Sequence, residues 1–510
     1  MKNKYDALFI LAFALRVAGM WIPQLWYDEH FTLILSRLPF DRMIAATAGD
    51  VHPPLWYLVE WGWLRLFPDP GLVPAWTLRI PALACSIFAF AAFRHLLNQL
   101  NIPARVKFGA LVLMAILPMQ LWYAQEARMY ALLELEVILA LLFALRRNYI
   151  GLFVVALAML YTQNYSVLYL ASVGVAVFVN DVVFYNYVRK GFKLSKQDIR
   201  DILKPTMNTG ITFSLAAILF VPWVSVIAKQ MTTISGRYWI QPPQIGDALN
   251  TVYKLFWTSA MPSFALLPAL LVTFMAIILG VVHLVKSKHP AANRILIMAF
   301  GPLALAWIAS LLWQPILLFR PLIGIAPFLY VIVAWSVEKL YEAKQFKAWR
   351  EAALASALVI PICVSGIGGY YKNIPSMKND GAVSPLVDAL AYVKANWQAG
   401  DVIYYTDDGP MINLLPYAGD LPQYMMWACG DRLNFGPVLG SLSVATRSAI
   451  GIQMAELSEL EFKRAWVFAP RSPLHPQCYE DHIAPYTRGD PLIVVDDNEF
   501  ISSGVWLVER

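Results

Sequence analysis

Eleven apolar stretches, each close to the roughly 17 to 25 residues that a helix needs to cross a bilayer, dominate this 510-residue chain. They lie near residues 8–26, 80–97, 107–123, 129–145, 149–163, 165–181, 207–227, 264–285, 295–313, 321–338 and 352–370. With 59% hydrophobic residues, only 15% charged residues and 18 Trp, the chain has too little polar surface for a water-soluble globule. The expected class is a polytopic α-helical membrane protein with about 11 transmembrane helices. Lys2 and Lys4 precede the first run as in a signal peptide, but Arg16 interrupts that run and no small-residue cleavage site follows. An uncleaved first helix is therefore expected.

Charge then sets orientation. Over alternate connections one side collects 20 basic residues: Lys2, Lys4, Arg94, Arg105, Lys107, Arg146, Arg147, the cluster from Arg189 to Lys204, Lys286, Lys288, Arg294, Lys339, Lys344, Lys347 and Arg350. Up to residue 370 the other side collects nine: Arg37, Arg42, Arg65, Arg79, Arg128, Lys229, Arg237, Lys254 and Arg320. The positive-inside rule puts the N-terminus in the cytoplasm and the loop after the first span outside. The net charge of +6 reads as a topology signal rather than as affinity for acidic partners, and no nucleic-acid motif occurs.

Two domains are expected: 1–370 in the membrane and 371–510 outside it. Within the first, an outer loop over 27–79 carries "LWYLVEWGWLRLF", which is apolar but too short to span, and whose Trp56, Trp61 and Trp63 suit the headgroup layer. Pro53 and Pro54 would hold His52 at a fixed elbow before it. The last 140 residues carry 17 of the 34 carboxylates and alternate helix and strand patterns. Ser384-Pro385 reads as a helix start, Gly400 as its stop, and "DVIYYT", "RAWVFAP" and "PLIVV" as strands, giving a small soluble α/β domain. It has no glycine-rich phosphate loop and no nucleophile elbow, so an acceptor-docking or capping role is expected. Cys429 and Cys478 both fall in it, and a disulfide between them or two free thiols are open alternatives.

Ionisable groups gather at the outer ends of the early helices. Asp28 and Glu29 stand together in "LWYDEHFTLIL", His52 follows in "GDVHPPLWY", and Glu126, Arg128 and Tyr130 occupy "LWYAQEARMYALLELE". Charges at one membrane face point to a site. An acidic pair after the first helix, then "HPPLWYLVEWGWLRLF", "WTLRIPALACSIFAF" and "YAQEARMYAL", resembles the C-type (GT-C) membrane glycosyltransferases. Within these the chain is most similar to the family 39-like branch, which holds the protein O-mannosyltransferases and the lipid A aminoarabinose transferase. The resemblance is dense over residues 1–180, and "LLFRPLIGIAPFLYVIVAW" fits the family's late Arg-bearing helix. Asn164 stands where many relatives carry His, and "RLFPDPG" interrupts a loop that is usually glycine-led.

The resemblance implies an inverting displacement on the outer face of the cytoplasmic membrane, from a polyprenyl-phosphate sugar to a glycolipid such as lipid A, a polysaccharide or a protein. Asp28 holds the family's position for the base that deprotonates the acceptor. Glu29 cannot point the same way and is assigned to orienting or acceptor contacts. Arg128 and Arg320 are the candidate ligands of the donor phosphate, because the guanidinium fork matches phosphate oxygens. Arg79 is a third, with an interfacial anchor as its alternative. Candidate substrate contacts are His52, Glu126, Tyr130 and Tyr238, the last in "SGRYWIQPPQ", where an interfacial aromatic anchor is the plain reading. No cofactor is expected. His52 as a metal ligand is an open alternative to a hydrogen-bonded loop histidine, although no Asp-x-Asp occurs in an early outer loop. Arg16, at mid-span, costs roughly 2.5–3.5 kcal/mol to insert and is expected to be held in an ion pair inside the bundle.

Two other classes compete. A lipid-linked sugar flippase or transporter would show inverted repeats and broken mid-membrane helices, and no repeat is visible. A polyprenyl-linked polysaccharide ligase or polymerase would place its basic outer loop late, whereas here the acidic groups come early.

Overall fold

A computed structural model of the chain describes residues 2–22, 24–67, 74–179, 196–234, 240, 242–257, 261–342, 363–371, 383–406, 408–426, 444–470, 485, 487, 490–496 and 502–509. In chain order the helices are α1 (Lys2–Val17), α2 (Tyr27–Arg37), α3 (Phe40–Gly49), α4 (Leu55–Leu64), α5 (Ala75–Gln99), α6 (Ala104–Ile116), α7 (Pro118–Ala124), α8 (Tyr130–Leu145), α9 (Tyr149–Thr162), α10 (Ser166–Phe178), α11 (Lys196–Ile234), α12 (Ile245–Trp257), α13 (Ser263–Lys286), α14 (Ala292–Leu312), α15 (Ala326–Glu342), α16 (Val383–Ala395), α17 (Asp408–Ala418) and α18 (Val444–Ile450). Among the described residues, five helical stretches are long and apolar enough to cross a membrane: Ala75–Gln99, Leu203–Thr232, Ser263–Lys286, Ala292–Leu312 and Arg320–Glu338. The pair α6 and α7, bent by 56°, makes a sixth. The expected spans near 8–26, 129–145, 149–163 and 165–181 are shorter helices, and most of that near 352–370 lies outside the described residues. α9 and α10 have 14 and 13 residues, or about 20 Å at 1.5 Å per residue. The chain is a multi-pass helical membrane protein with a small C-terminal sheet.

By their internal contacts the residues form two units, each assembled from three separate stretches. The first comprises Met1–Met20, Arg79–Pro222 and Ile240–Asn373. In it α6, α13 and α15 pack together, as do α8 with α9 and α10 with α14. Arg16 is fully buried there, but its expected ion pair is absent among the described residues. Its guanidinium instead donates to Ser86 Oγ (2.8 Å) and to the carbonyls of Met114 (2.7 Å), Ala115 (3.3 Å) and Ala12 (3.2 Å). The reason lies in the bend of α6 into α7. Pro118 has no N–H for the carbonyl four residues before it, which is that of Met114, and the arginine supplies the missing donor.

The second unit comprises Trp21–Leu78, Trp223–Trp239 and Ile374–Arg510. Its sheet has strands β1 (Asp401–Tyr405), β2 (Gln423–Met425), β3 (Gln453–Met454), β4 (Arg464–Pro470), β5 (Ile493–Asp496) and β6 (Ser502–Glu509) in the order β3-β2-β1-β4-β6-β5. β3, β2, β1 and β4 run parallel, whereas β6 and β5 are antiparallel additions. Parallel neighbours need crossovers, and α17 and α18 lie in those between β1 and β2 and between β2 and β3. The three expected strands form. The helix begun at Val383 ends at Ala395 rather than at Gly400, whose φ of +95° instead turns the chain into β1. At the start of β1, Asp401 accepts from Arg464 Nε (2.9 Å) and Nη2 (2.6 Å) and from Trp466 Nε1 (3.0 Å). Burial opposes the charge on Asp401, but these bonds outweigh it and hold the carboxyl below its ordinary 3.8. Cys429 and Cys478 lie outside the described residues.

The loop over 27–79 packs within this second unit, save for its last residue. α3 lies on α18, with Thr446 Oγ1 donating to the Ala46 carbonyl (3.1 Å) and Arg42 Nε to that of Ala449 (3.0 Å). α2 contacts both α4 and α17. The tryptophans of α4 serve this packing. Trp56 is fully buried, Trp61 Nε1 donates to the Leu38 carbonyl (3.1 Å) and Trp63 Nε1 to that of Thr77 (2.9 Å). Arg65 stacks on Trp61, 4.5 Å from its ring centroid, and donates to the same Leu38 carbonyl (3.0 Å).

In the first unit, α13 and α15 approach each other at Gly280, where a Cβ would run into the backbone carbonyl of Ile332. Small residues at such crossings let helices pack closely in a membrane. Gly280→Ala is expected to cost about 1–3 kcal/mol by forcing the helices apart. Its check is the thermal unfolding midpoint of the purified protein, which should fall by several degrees. The substitution should be neutral if the crossing has slack.

Candidate active site

Asp28 and Glu29 occupy the first turn of α2, where free N–H groups and the helix dipole favour carboxylates. Trp26, in extended conformation, precedes the helix, and Thr32 Oγ1 donates to the Asp28 carbonyl (2.9 Å). Successive residues on a helix point about 100° apart. The consequence is a division of the pair: Asp28 is half-buried and reachable, whereas Glu29 is fully buried. His30 is fully buried as well, and its ring nitrogens lie 3.2 Å from Asn413 Oδ1 and 3.2 Å from Tyr417 Oη on α17.

A carboxyl that the sequence reading passed over sits nearby. Glu60 on α4 is fully buried, and among the described residues neither of its oxygens has a hydrogen-bond partner. Burial first, and then the neighbouring Glu29, raise its pKa well above the ordinary 4.5. The available signal was a lone acid inside the apolar "LWYLVEWGWL". His52 is half-buried in the turn between α3 and α4, and Asp50 Oδ2 in the same turn accepts from Tyr57 Oη (3.4 Å). Asp28, Glu29 and His52 thus belong to one unit.

Glu126, Arg128, Tyr130, Arg79 and Arg320 belong to the other. Glu126 and Arg128 share a buried turn between α7 and α8, closed by the Arg128 N–H donating to the Glu126 carbonyl (2.7 Å). Trp122 Nε1 donates to Glu126 Oε2. Tyr130 packs on Tyr123 with ring centroids 4.7 Å apart. Gln125, which the sequence reading did not select, anchors this turn. Its Nε2 donates to the carbonyls of Ala18 (2.7 Å) and Arg16 (2.9 Å), and its Oε1 accepts from Tyr370 Oη (3.0 Å). Arg79 is fully buried and donates from Nη1 to the Met20 carbonyl (2.8 Å), which gives it a structural task where the first helix ends. Tyr238 lies outside the described residues.

Arg320 opens a 3₁₀ turn, Arg320–Ile325, pinned by Tyr169, whose hydroxyl donates to the Pro321 carbonyl (2.8 Å) and accepts from the Gly324 N–H (3.1 Å). Beside it stands a second cation. Lys254 Nζ lies 4.8 Å and Arg320 Cζ 6.0 Å from the Phe319 ring centroid. Burial, and then the charge of Arg320, lower the pKa of Lys254. Two like charges held against one ring suit an anion such as a phosphate. Lys254 had been counted in the sequence only as a topology marker. Among the described residues no three His, Cys, Asp or Glu side chains converge as a metal ion would require.

No family model and no curated protein matches the chain. Solved structures do. ArnT from Cupriavidus metallidurans in the apo state aligns with a TM-score of 0.57 at 12% identity, over 99% of this chain and 98% of that one. The fold is that of the GT-C glycosyltransferases. The same ArnT bound to undecaprenyl phosphate aligns with a TM-score of 0.50 at 12% identity over the same shares. The Archaeoglobus fulgidus oligosaccharyltransferase in complex with Zn and sulfate gives 0.50 at 11% identity, over 91% of this chain and 67% of that one. The GT-C fold therefore extends over nearly the whole chain, beyond the dense motif region of residues 1–180.

The buried Glu60 has a measurable consequence. Its pKa is raised in the fold, whereas the carboxyl of the unfolded chain titrates near the ordinary 4.5. Its contribution to stability is fully present below that pH and is lost as pH rises through the raised folded value. The thermal midpoint of the protein should fall as pH rises from 4.5, and Glu60→Gln should flatten that fall. An unchanged slope in the variant would remove Glu60 as its cause.

Proposed function

We propose that the chain is an inverting integral-membrane glycosyltransferase that moves a sugar from a polyprenyl-phosphate donor to an acceptor on the outer face of the cytoplasmic membrane. The observation that carries this reading is the division of the acidic pair, with Asp28 reachable and Glu29 turned inward. The ArnT neighbour bound to undecaprenyl phosphate supports a lipid phosphate as the leaving group. The acceptor is a glycolipid such as lipid A, a polysaccharide or a protein.

In this mechanism the Asp28 carboxylate takes the proton of the acceptor hydroxyl or amine as that group attacks the anomeric carbon. The bond from that carbon to the phosphate oxygen breaks, its electron pair stays on the phosphate, and the configuration at carbon inverts. A phosphate is already a good leaving group, so cations suffice to stabilise it. Arg320 and Lys254 serve this role, with Arg128 as a further phosphate ligand. Glu29 orients the first turn of α2, and His52, Glu126, Tyr130 and Tyr238 are substrate contacts.

The proposed orientation places the N-terminus in the cytoplasm and the C-terminal domain outside, in keeping with the 20 to nine division of basic residues. Reporter fusions after residues 100, 195 and 345 should read as cytoplasmic, and those after 50, 240 and 400 as external. A cytoplasmic reading at 400 would overturn the assignment.

The catalytic roles are separable with purified protein and a panel of radiolabelled polyprenyl-phosphate sugars. Asp28→Asn should lower transfer by roughly 10²- to 10⁴-fold while the donor still binds. Arg320→Ala or Lys254→Ala should weaken donor binding, and Arg320→Lys should recover only part of the loss because a point charge lacks the fork. Wild-type transfer by folded Asp28→Asn protein would eliminate the mechanism.

A further inference from the structure

The reachable carboxylate of α2 is two residues from a histidine that the C-terminal part of the chain holds at both ring nitrogens. His30 Nδ1 faces Asn413 Oδ1 at 3.2 Å and Nε2 faces the Tyr417 hydroxyl at 3.2 Å. An amide oxygen only accepts, so Nδ1 donates to Asn413 Oδ1, and Nε2 pairs with the Tyr417 O–H. Burial raises the pKa of Tyr417 and keeps that proton in place. The tyrosine ring meets the imidazole edge-on, with centroids 5.5 Å apart and planes at 70°. His30 is fully buried and Asn413 is 3% exposed, so these bonds are shielded from water. Residues 413 and 417 are one turn apart on α17 and therefore share a face. Tyr417 is fixed in turn by Lys394 Nζ of α16, which donates to its carbonyl (2.7 Å).

We propose that Asn413 and Tyr417 are positioning residues for sugar transfer: through His30 they fix the rotation of the first turn of α2, and with it the direction of the Asp28 carboxylate. The proposal rests on the reading of Asp28 as the base. Rotation of a helix about its own axis swaps which of two successive residues is reachable, since they lie about 100° apart. Packing of apolar side chains tolerates small rotations, but two hydrogen bonds to opposite edges of one rigid ring do not. The C-terminal domain thereby acts on catalysis without supplying a group that touches the substrate. Misplacement of a reacting group by about 1 Å costs about 10²-fold, so a partial loosening should show as roughly a ten-fold loss.

The test uses the full-length protein in lipid nanodiscs and undecaprenyl-phosphate-linked sugar, radiolabelled in the sugar. Asn413→Leu should lower kcat about ten-fold with KM for the donor lipid nearly unchanged, and Asn413→Asp, which keeps an acceptor oxygen, should restore most of it. Tyr417→Phe should lower kcat about three-fold, and because it removes a single oxygen it decides the matter even if Asn413→Leu fails to fold. Tyr405→Phe is the control. It loses a comparable bond in the same domain, from Tyr405 Oη to Gln423 Oε1 (2.9 Å), and should leave kcat unchanged. Wild-type kcat in Tyr417→Phe, or an equal loss in Tyr405→Phe, would overturn the proposal. The reading of Asp28 fails separately, if Asp28→Asn turns over at the wild-type rate.

Discussion

The amide of Gln125 is the tie on which the end of the first helix in the first unit depends. It satisfies carbonyls left over where the first helix ends and accepts from Tyr370, so the first helix, the turn bearing Glu126 and Arg128, and the helical stretch 363–371 are joined at one side chain. Tyr371 adds a second link, donating to the Leu15 carbonyl (2.6 Å). A helix end buried among apolar neighbours must find donors for its last carbonyls. Arg16 and Gln125 supply them from inside the protein. The same need explains why a charge lies at mid-span: it replaces the donor that Pro118 lacks.

Membrane character, the GT-C fold and strands β1, β4 and β5 were legible in the sequence, because apolar run length and local motif order carry that information, whereas β6, the longest strand, was not. Hydropathy did not reveal the break inside the run 107–123, where Pro118 starts α7 at an angle of 56° to α6. The short strands β2 and β3 were missed because two or three residues give no period. The partner of the loop 27–79 was also hidden, because its contacts join residues some 400 positions apart, as between Thr446 and Ala46.

The candidate site shows a similar split. Asp28 and Glu29 were visible as a pair, and elementary helix geometry separates their directions, as found. Glu60 and Lys254 were not singled out. A lone acid in an apolar segment and a lone lysine on an amphipathic helix acquire meaning only from what they pack against, respectively Glu29 and Arg320. Arg79 shows the converse: a plausible phosphate ligand by position whose guanidinium holds the Met20 carbonyl.

The wide separation between α2 or α3 and their partners also sets a schedule for synthesis. His30 and Asn413 are 383 residues apart, and Arg42 and Ala449 407. At about 5–20 residues per second, the acidic helix emerges roughly 20–80 s before the ribosome has made the surface that covers it. Throughout that interval the faces of α2 and α3 that α17 and α18 later cover are open.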